Sequence, residues 1–222
     1  MTVEEQSSAM PPTLVNVALG VLLGVALLGA AFDRRSIVLV AFAAAVPDLD
    51  ALVWFFGLGA ANATLHSLFV PLGVAGLLYY DTAVRGTSWL RARYGWYGVR
   101  VAWILITVYA VAGVGPDAFS TESVALLYPL SDRYYAITGG FLFSTQDGIV
   151  QTYVAFNGGW IEFATPGTVE TYHQEWIGST GGGWRFRLVE TGWQAVLVVT
   201  AAVAAPAKWL VERHDRAATG GR

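Results

Sequence analysis

The chain has 222 residues, of which 55% are hydrophobic and 13% charged, and its mean hydropathy is +0.51. This balance is rare among soluble domains and indicates a membrane protein, with the lipid bilayer as its first partner. The absence of cysteine excludes disulfides, thiolate zinc sites and cysteine nucleophiles, and a net charge of −3 leaves no broad basic surface for nucleic acid.

Apolar segments follow one another along the chain, and a helix needs roughly 20 residues to cross the hydrocarbon core. They predict five spans, near residues 13–32, 36–58, 64–80, 99–115 and 193–210. Residues 149–156 alternate in the manner of a strand. The predicted fold is an all-α multi-pass membrane protein of about five spans with a small β-rich extracytoplasmic cap. Its parts are an N-terminal tail (1–12), a four-span bundle (13–116), the cap (117–190), the fifth span (191–210) and a cytoplasmic tail (211–222).

The distribution of Lys and Arg predicts the orientation, because cytoplasmic loops carry the excess of positive charge. If the N-terminus lies outside, ten of the 13 Lys and Arg fall on the cytoplasmic side, and only Arg133, Arg185 and Arg187 lie outside. We therefore expect a multi-pass protein of the cell (cytoplasmic) membrane, with its N-terminus outside and its C-terminus inside.

Acidic and imidazole side chains interrupt the second and third predicted spans. Pro47-Asp48-Leu49-Asp50 lies in the outer half of the second span, and His66-Ser67 opens the third. A lone Asp near the middle of a bilayer costs on the order of 3 kcal/mol, so ionisable groups at that depth usually serve a site. Asp117, after the fourth span, and Asn16, in the first, reach the same layer. These residues predict a metal site that faces the extracytoplasmic side.

The spacing of Asp48 and Asp50 leaves two arrangements open. Residues two apart on a regular helix point about 200° away from each other, so both carboxylates cannot face one ion. If Pro47 distorts the backbone, both ligate; if the helix is regular, one ligates and the other orients a ligand or water. In a purely structural interpretation, the three Asp cap helix ends or turns and His66 bonds a carbonyl.

The order and spacing of these motifs resemble those of the LexA-binding, inner-membrane-associated family of membrane-bound metal-dependent hydrolases. The chain has Pro47-Asp48-Leu49-Asp50, His66-Ser67, Asp117 and then Leu127-Tyr128-Pro129-Leu130-Ser131, and the resemblance covers residues 13–135. It implies a metal-dependent hydrolase with Asp48, Asp50, His66 and Asp117 as metal ligands.

Two departures from the family pattern bear on the metal. Asn16 and Gly113 stand where the family has histidines, so two imidazoles are lost. The remaining candidate ligands are rich in oxygen, which favours Mg²⁺ or Mn²⁺ over a His-rich zinc site, with Zn²⁺ as the alternative.

A divalent ion with an open position supports hydrolysis, because it activates water and polarises an ester or phosphoryl oxygen. A spare carboxylate, Asp48 or Asp50, would act as the catalytic general base. The position at the outer lipid surface suggests a lipid-like or phosphoester substrate. The alternative is a catalytically degenerate relative that keeps the membrane scaffold to bind a partner or lipid. A transporter is disfavoured, because inverted repeats and paired broken helices are absent from the sequence.

Overall fold

The computed structural model describes residues 13–50, 62–119, 123–137, 142–144, 148–151, 163–164, 188–189 and 191–219. The α-helices in these ranges are α1 (Thr13–Leu27), α2 (Arg34–Ala45), α3 (Phe69–Tyr79), α4 (Trp89–Val108), α5 (Gly115–Ala118) and α6 (Gly192–Thr219). Tight 3₁₀ turns occupy Gly29–Ala31 and Pro47–Leu49, and π-helical turns occupy Tyr80–Val84 and Tyr109–Val114. The strands are β1 (Ala136–Ile137), β2 (Leu142–Ser144), β3 (Gly148–Gln151) and β4 (Phe163–Ala164).

Helix α1 lies at the centre of the bundle and packs most extensively against α2 and α6. Two glycines allow the close contact with α2. A Cβ atom at Gly20 would lie 2.6 Å from Ala44 Cβ, and one at Gly24 would lie 2.9 Å from Val40 Cγ1. Small residues four apart therefore bring the two backbones together. The largest buried apolar cluster forms at this contact and extends to α4 through Val101, Ile104 and Val108.

Two cations hold the C-terminal end of α1. Arg100 Nη2, from α4, donates to Leu27 O at 3.0 Å, and Lys208 Nζ, from α6, donates to Val25 O. The last carbonyls of a helix have no partner within the helix and carry the negative end of its dipole. Their bonds to Arg100 and Lys208 therefore join α4 and α6 to the same end of α1.

A reciprocal pair of hydrogen bonds starts α2. Asp33 Oδ1 accepts from the Ser36 amide at 2.7 Å, and Ser36 Oγ accepts from the Asp33 amide at 2.9 Å. This capping box satisfies two amides that the helix itself leaves without partners. Tyr97, from α4, donates its hydroxyl to Asp33 Oδ2 at 3.0 Å, so the cap also connects α2 to α4.

The prediction of about five spans is wrong. Two helices in the described ranges are long and apolar enough to cross a membrane: Trp89–Ala118, with 30 residues, and Gly192–His214, with 23. They overlap the fourth and fifth predicted spans. Helices α1 and α2 have 15 and 12 residues, and Phe69–Val84 also falls below 18 residues. All three are shorter than the roughly 20 residues that a span requires.

The polar residues explain why the second and third predicted spans are short. Helix α2 ends at Ala45 because Pro47, which has no amide proton, introduces a 3₁₀ turn. Residues 62–68 form turns rather than helix, since Asp50 accepts hydrogen bonds from the amides of Ala63, Leu65 and His66. Residues 51–58 of the second predicted span lie outside the described residues.

The predicted β-rich cap is also wrong. The strands in the described ranges have two to four residues and form two separate antiparallel pairs, β1 with β4 and β2 with β3. The strand expected at 149–156 is described only as far as Gln151, where it pairs with residues close by in the chain. Such a pairing needs only a short loop, which costs little closure entropy. Most of the predicted cap lies outside the described residues.

Replacing the cap residue of α2 gives a test of this part of the fold. Burial raises the pKa of Asp33, but hydrogen bonds from Ser36 and Tyr97 outweigh that effect and lower it from its ordinary value of 3.8. Stability from a lowered pKa is fully present above the unfolded value and is lost as the pH falls through the folded value. Asp33→Ala should therefore cost about 1 kcal/mol of unfolding free energy at neutral pH, and the difference should shrink in acid.

Chemical unfolding in detergent, followed across this pH range, measures the effect. Asp132→Ala is a matched control, since Asp132 is exposed and should change the free energy by less than about 0.5 kcal/mol. An Asp33→Ala loss that stays the same at acid and neutral pH would contradict the stabilising role of the ionised carboxylate.

Candidate metal centre

His66 is the centre of a buried polar group. Its side chain is fully buried, and its two ring nitrogens face different carboxylates. Nδ1 lies 2.9 Å from Asp50 Oδ2. Nε2 lies 2.6 Å from Asp117 Oδ2 and 3.7 Å from Asp48 Oδ1. Neither of these two contacts has the geometry of a hydrogen bond. The ring therefore joins three segments: the turn after α2, the loop at 62–68 and the short helix α5.

Asp50 fixes the loop that carries His66. Its Oδ1 accepts from the Leu65 amide at 2.6 Å, and its Oδ2 accepts from the amides of Ala63 at 3.0 Å and His66 at 3.3 Å. The Asp50 side chain is 1% exposed. Both carboxylate oxygens are thus engaged by the backbone and by His66 Nδ1, on the side of the ring away from Asp48 and Asp117.

Hydrogen bonds to the 125–128 segment and to the start of α3 also hold the loop. Ala125 donates its amide to Asn62 O, and Leu68 donates its amide to Leu126 O. Ser67 Oγ donates to Tyr128 O at 2.6 Å and accepts from the Phe69 amide at 3.2 Å, at the start of α3. The His66-Ser67 motif and the Tyr128 motif are therefore in direct contact.

Asp117 reaches His66 from the short helix α5, which follows the π-helical turn Tyr109–Val114. The backbone widens in a π-helical turn, and such turns are frequent at functional sites. In the same turn, Tyr109 donates its hydroxyl to Leu65 O. The sequence analysis missed Tyr109. Its spacing was the available signal, because Tyr109, Gly113 and Asp117 lie four residues apart and share one helix face.

Asp48 completes the group from the 3₁₀ turn after α2, where its side chain is 11% exposed. Asn16, fully buried on α1, donates its amide to Asp48 Oδ1 at 3.3 Å and to Oδ2 at 3.4 Å. The Asn16 oxygen Oδ1 is buried and has no hydrogen-bond partner among the described residues. Asn16 therefore orients Asp48 and also brings a further oxygen close to the group.

The composition of the group calls for a cation. With the Nδ1 proton directed to Asp50, neutral His66 presents its Nε2 lone pair to two carboxylates. The close ion-pair contacts of Asp48 and Asp50 among the described residues are both to His66. Buried carboxylates are costly unless they are paired or bind a metal. Either a proton on His66 or a metal ion would relieve the repulsion between the Nε2 lone pair and the two carboxylates.

The distances fit a divalent ion. Ligand atoms of Asp48, His66 and Asp117 all lie within 4.8 Å of one another. Bonds of roughly 2.0–2.2 Å place neighbouring ligand atoms about 3 Å apart, and the observed separations of 2.6 and 3.7 Å lie on either side of that value. This buried Asp48–His66–Asp117 group could hold a metal ion.

The four predicted ligands are thus close together, but they are not equivalent. Pro47 distorts the backbone into a 3₁₀ turn, the condition under which the sequence analysis expected both Asp to ligate, yet Asp50 lies outside the three-residue group and contacts Nδ1 of His66 instead. Such a carboxylate behind a histidine fixes the ring and raises its basicity as a ligand. The roles of the four residues as ligands or catalysts stay predictions.

The backbone around Gly113 is closely packed. A Cβ atom there would lie 2.6 Å from Pro47 Cγ and 3.1 Å from Ala44 O. The turn after α2 therefore packs directly on the backbone at Gly113 and leaves no room for an imidazole.

No family model, curated protein or solved structure matches the chain.

A substitution at Gly113 tests this contact. Gly113→Ala should lower the unfolding free energy by about 1–3 kcal/mol, because its methyl group would overlap a rigid proline ring. Gly73→Ala is the matched control in α3, where nothing lies within 4 Å of the added atom. It should be neutral or stabilise the helix by up to about 1 kcal/mol. Equal effects of the two substitutions, measured by denaturant unfolding in detergent, would contradict the close contact.

Proposed function

We propose that this protein is a metal-dependent hydrolase of the cytoplasmic membrane, with Asp48, His66 and Asp117 as the ligands of a divalent ion. The observation that carries the proposal is the buried imidazole, whose Nδ1 is held by Asp50 while its Nε2 faces two carboxylates. The oxygen-rich ligand set favours Mg²⁺ or Mn²⁺, with Zn²⁺ as the alternative. The motif order resembles that of the LexA-binding, inner-membrane-associated hydrolase family, and this resemblance points to the same chemistry.

Asp50 is a positioning residue in this proposal. Both of its oxygens already accept hydrogen bonds, so Asp50 is poorly suited to take a proton from water. It holds the Nδ1 proton of His66 and thereby directs the Nε2 lone pair towards Asp48 and Asp117. The catalytic role considered for Asp50 in the sequence analysis therefore passes to Asp48.

Asp48 is also the candidate general base, through the carboxylate oxygen that would not bind the ion. It is the most exposed of the three carboxylates around His66, at 11% of its side chain against 1% for Asp50 and 3% for Asp117. A substrate or water arriving from outside the group would meet Asp48 first, and Asn16 holds that carboxylate in place. A divalent ion, when bound, supplies Lewis-acid polarisation of an ester or phosphoryl oxygen. We propose a lipid-like or phosphoester substrate.

Charge also supports an orientation in the membrane. Arg85, Arg91 and Arg93 lie near the start of Trp89–Ala118, and Asp117 lies at its other end. Lys208 and Arg213 lie in the last part of Gly192–His214. Because positive charge stays on the cytoplasmic side, both basic ends would face the cytoplasm and the metal centre would face outward. This orientation agrees with a C-terminus inside the cell.

Gly113 and Asn16 favour a second candidate function. Gly113 and Asn16 stand at positions where the resembled family has histidines. Because Pro47 packs on Gly113, a histidine side chain would not fit at that position. A centre with fewer ligands binds its ion more weakly. The second candidate is therefore a degenerate relative that keeps the scaffold to bind a partner or a lipid without catalysis.

Metal analysis of the purified full chain tests the centre. Wild type, dialysed against Mn²⁺, Mg²⁺ or Zn²⁺, should retain a stoichiometric ion, and His66→Ala and Asp117→Ala should lose it because each removes a ligand. Asp50→Asn should keep the ion with about 10–100-fold weaker affinity, as for other partners that orient a ligand. Asp132→Asn, an exposed site, is the control and should bind like wild type.

Hydrolysis of p-nitrophenyl phosphate and p-nitrophenyl acetate then separates the two functions. Turnover that requires the ion and falls in Asp48→Asn supports the hydrolase. A bound ion without turnover of either probe supports the degenerate relative, and a wild-type protein without an ion overturns the metal centre.

Cysteine labelling tests the orientation, because the natural chain has no cysteine. In intact cells, an impermeant maleimide should label Asp132→Cys but not Thr87→Cys, since only residue 132 would lie outside. Both positions are exposed, so Thr87→Cys should react once the cells are permeabilised. The reverse pattern in intact cells would overturn the orientation.

A further inference from the structure

A cavity of about 640 Å³ lies at the basic end of the bundle, at the opposite end of α1 from Asn16. Two guanidinium groups, Arg91 and Arg100, line it together with apolar side chains that include Trp96, Val99 and Trp103. Acidic residues are absent from its described lining. We propose that this cavity binds the headgroup of an anionic phospholipid from the cytoplasmic leaflet. The proposal shares only the membrane orientation with the proposed function and does not involve the metal centre.

A break in α4 brings Arg91 and Arg100 to the same cavity. On a continuous helix, residues nine apart lie about 13.5 Å apart along the axis and point in opposite directions. Gly95 interrupts the helix with φ +66° and ψ −163°, a backbone conformation that is essentially restricted to glycine. The segment before Gly95 therefore turns, and Arg91 and Arg100 reach the same cavity.

The two guanidinium groups are held in place but keep free donors. The Arg91 guanidinium carbon lies 3.9 Å from the centroid of the Trp96 ring. Arg100 uses Nη2 for the bond to Leu27 O, which leaves other N–H groups of its five donors. No described carboxylate forms an ion pair with either residue. A guanidinium group matches the geometry and charge of a phosphate group, which it binds through two parallel N–H···O bonds.

The remaining lining suits a lipid rather than a soluble anion. The hydroxyls of Thr82 and Thr107 donate to carbonyls of their own helices, at 2.7 and 3.0 Å, so phosphate recognition falls to the arginines. Trp96 is 68% exposed and Trp103 38% exposed, as expected of side chains that contact lipid at the membrane interface. Basic pockets between helices on the cytoplasmic side are typical sites for acidic headgroups.

Native mass spectrometry of the purified full chain in detergent tests the site with phosphatidylglycerol and phosphatidylcholine of identical acyl chains. Wild type should retain phosphatidylglycerol in preference to phosphatidylcholine. Arg91→Gln should weaken phosphatidylglycerol binding about fivefold, the effect of one basic charge near a membrane surface. Arg93→Gln is the matched control, because it removes the same charge two residues away, on a side chain that lies over Tyr94 and outside the cavity lining.

The outcomes separate this site from diffuse attraction and from the metal centre. Arg91→Lys should restore part of the binding, and chelation of metal by EDTA should leave it unchanged. Equal binding of the two lipids, or equal losses in Arg91→Gln and Arg93→Gln, would overturn the proposal. Displacement of phosphatidylglycerol by excess inorganic phosphate would also overturn it, because the site would then recognise a soluble anion. Thermal unfolding of each variant shows that a loss of binding is not a loss of fold.

Discussion

The burial of His66 between Asp50 and Asp117 is the constraint on which the arrangement of the polar segments depends. The two carboxylates approach opposite nitrogens of one ring, and they come from segments separated by more than 60 residues. A solvated histidine could satisfy its nitrogens with water. A fully buried one must find protein partners or an ion, so the turn after α2, the 62–68 loop and α5 have to meet around it.

This constraint determines the backbone as well as the side chains. The loop amides that bond to Asp50 would form helical hydrogen bonds if the third apolar segment were helical from its start. A carboxylate that accepts several backbone amides competes directly with the helix, and here it prevails up to Leu68. The polar group therefore shortens the helix, and α3 begins only C-terminal to the loop that bonds to Tyr128.

The residues of the site could be predicted from the sequence better than the helices around them. Asp48, His66 and Asp117 stood out because charged and imidazole groups are costly in apolar segments. Hydropathy counts side chains, however, and it contains no information on where backbone amides bond, so it overestimated the second and third spans. The distinct role of Asp50 also escaped prediction, because it depends on amides 13 to 16 residues further along the chain. Tyr109 looked like one more aromatic residue in a helix.

Helix α1 separates two regions of opposite charge. Its N-terminal half carries Asn16, beside the carboxylates, and its C-terminal carbonyls bind Arg100 and Lys208. The eleven residue steps from Asn16 to Leu27 span about 16 Å of helix, well beyond the length of a salt bridge. These two basic groups are held at the far end and cannot neutralise Asp48 and Asp117. A proton on His66, or a metal ion held by the Asp48–His66–Asp117 group, would each place a positive charge next to these carboxylates.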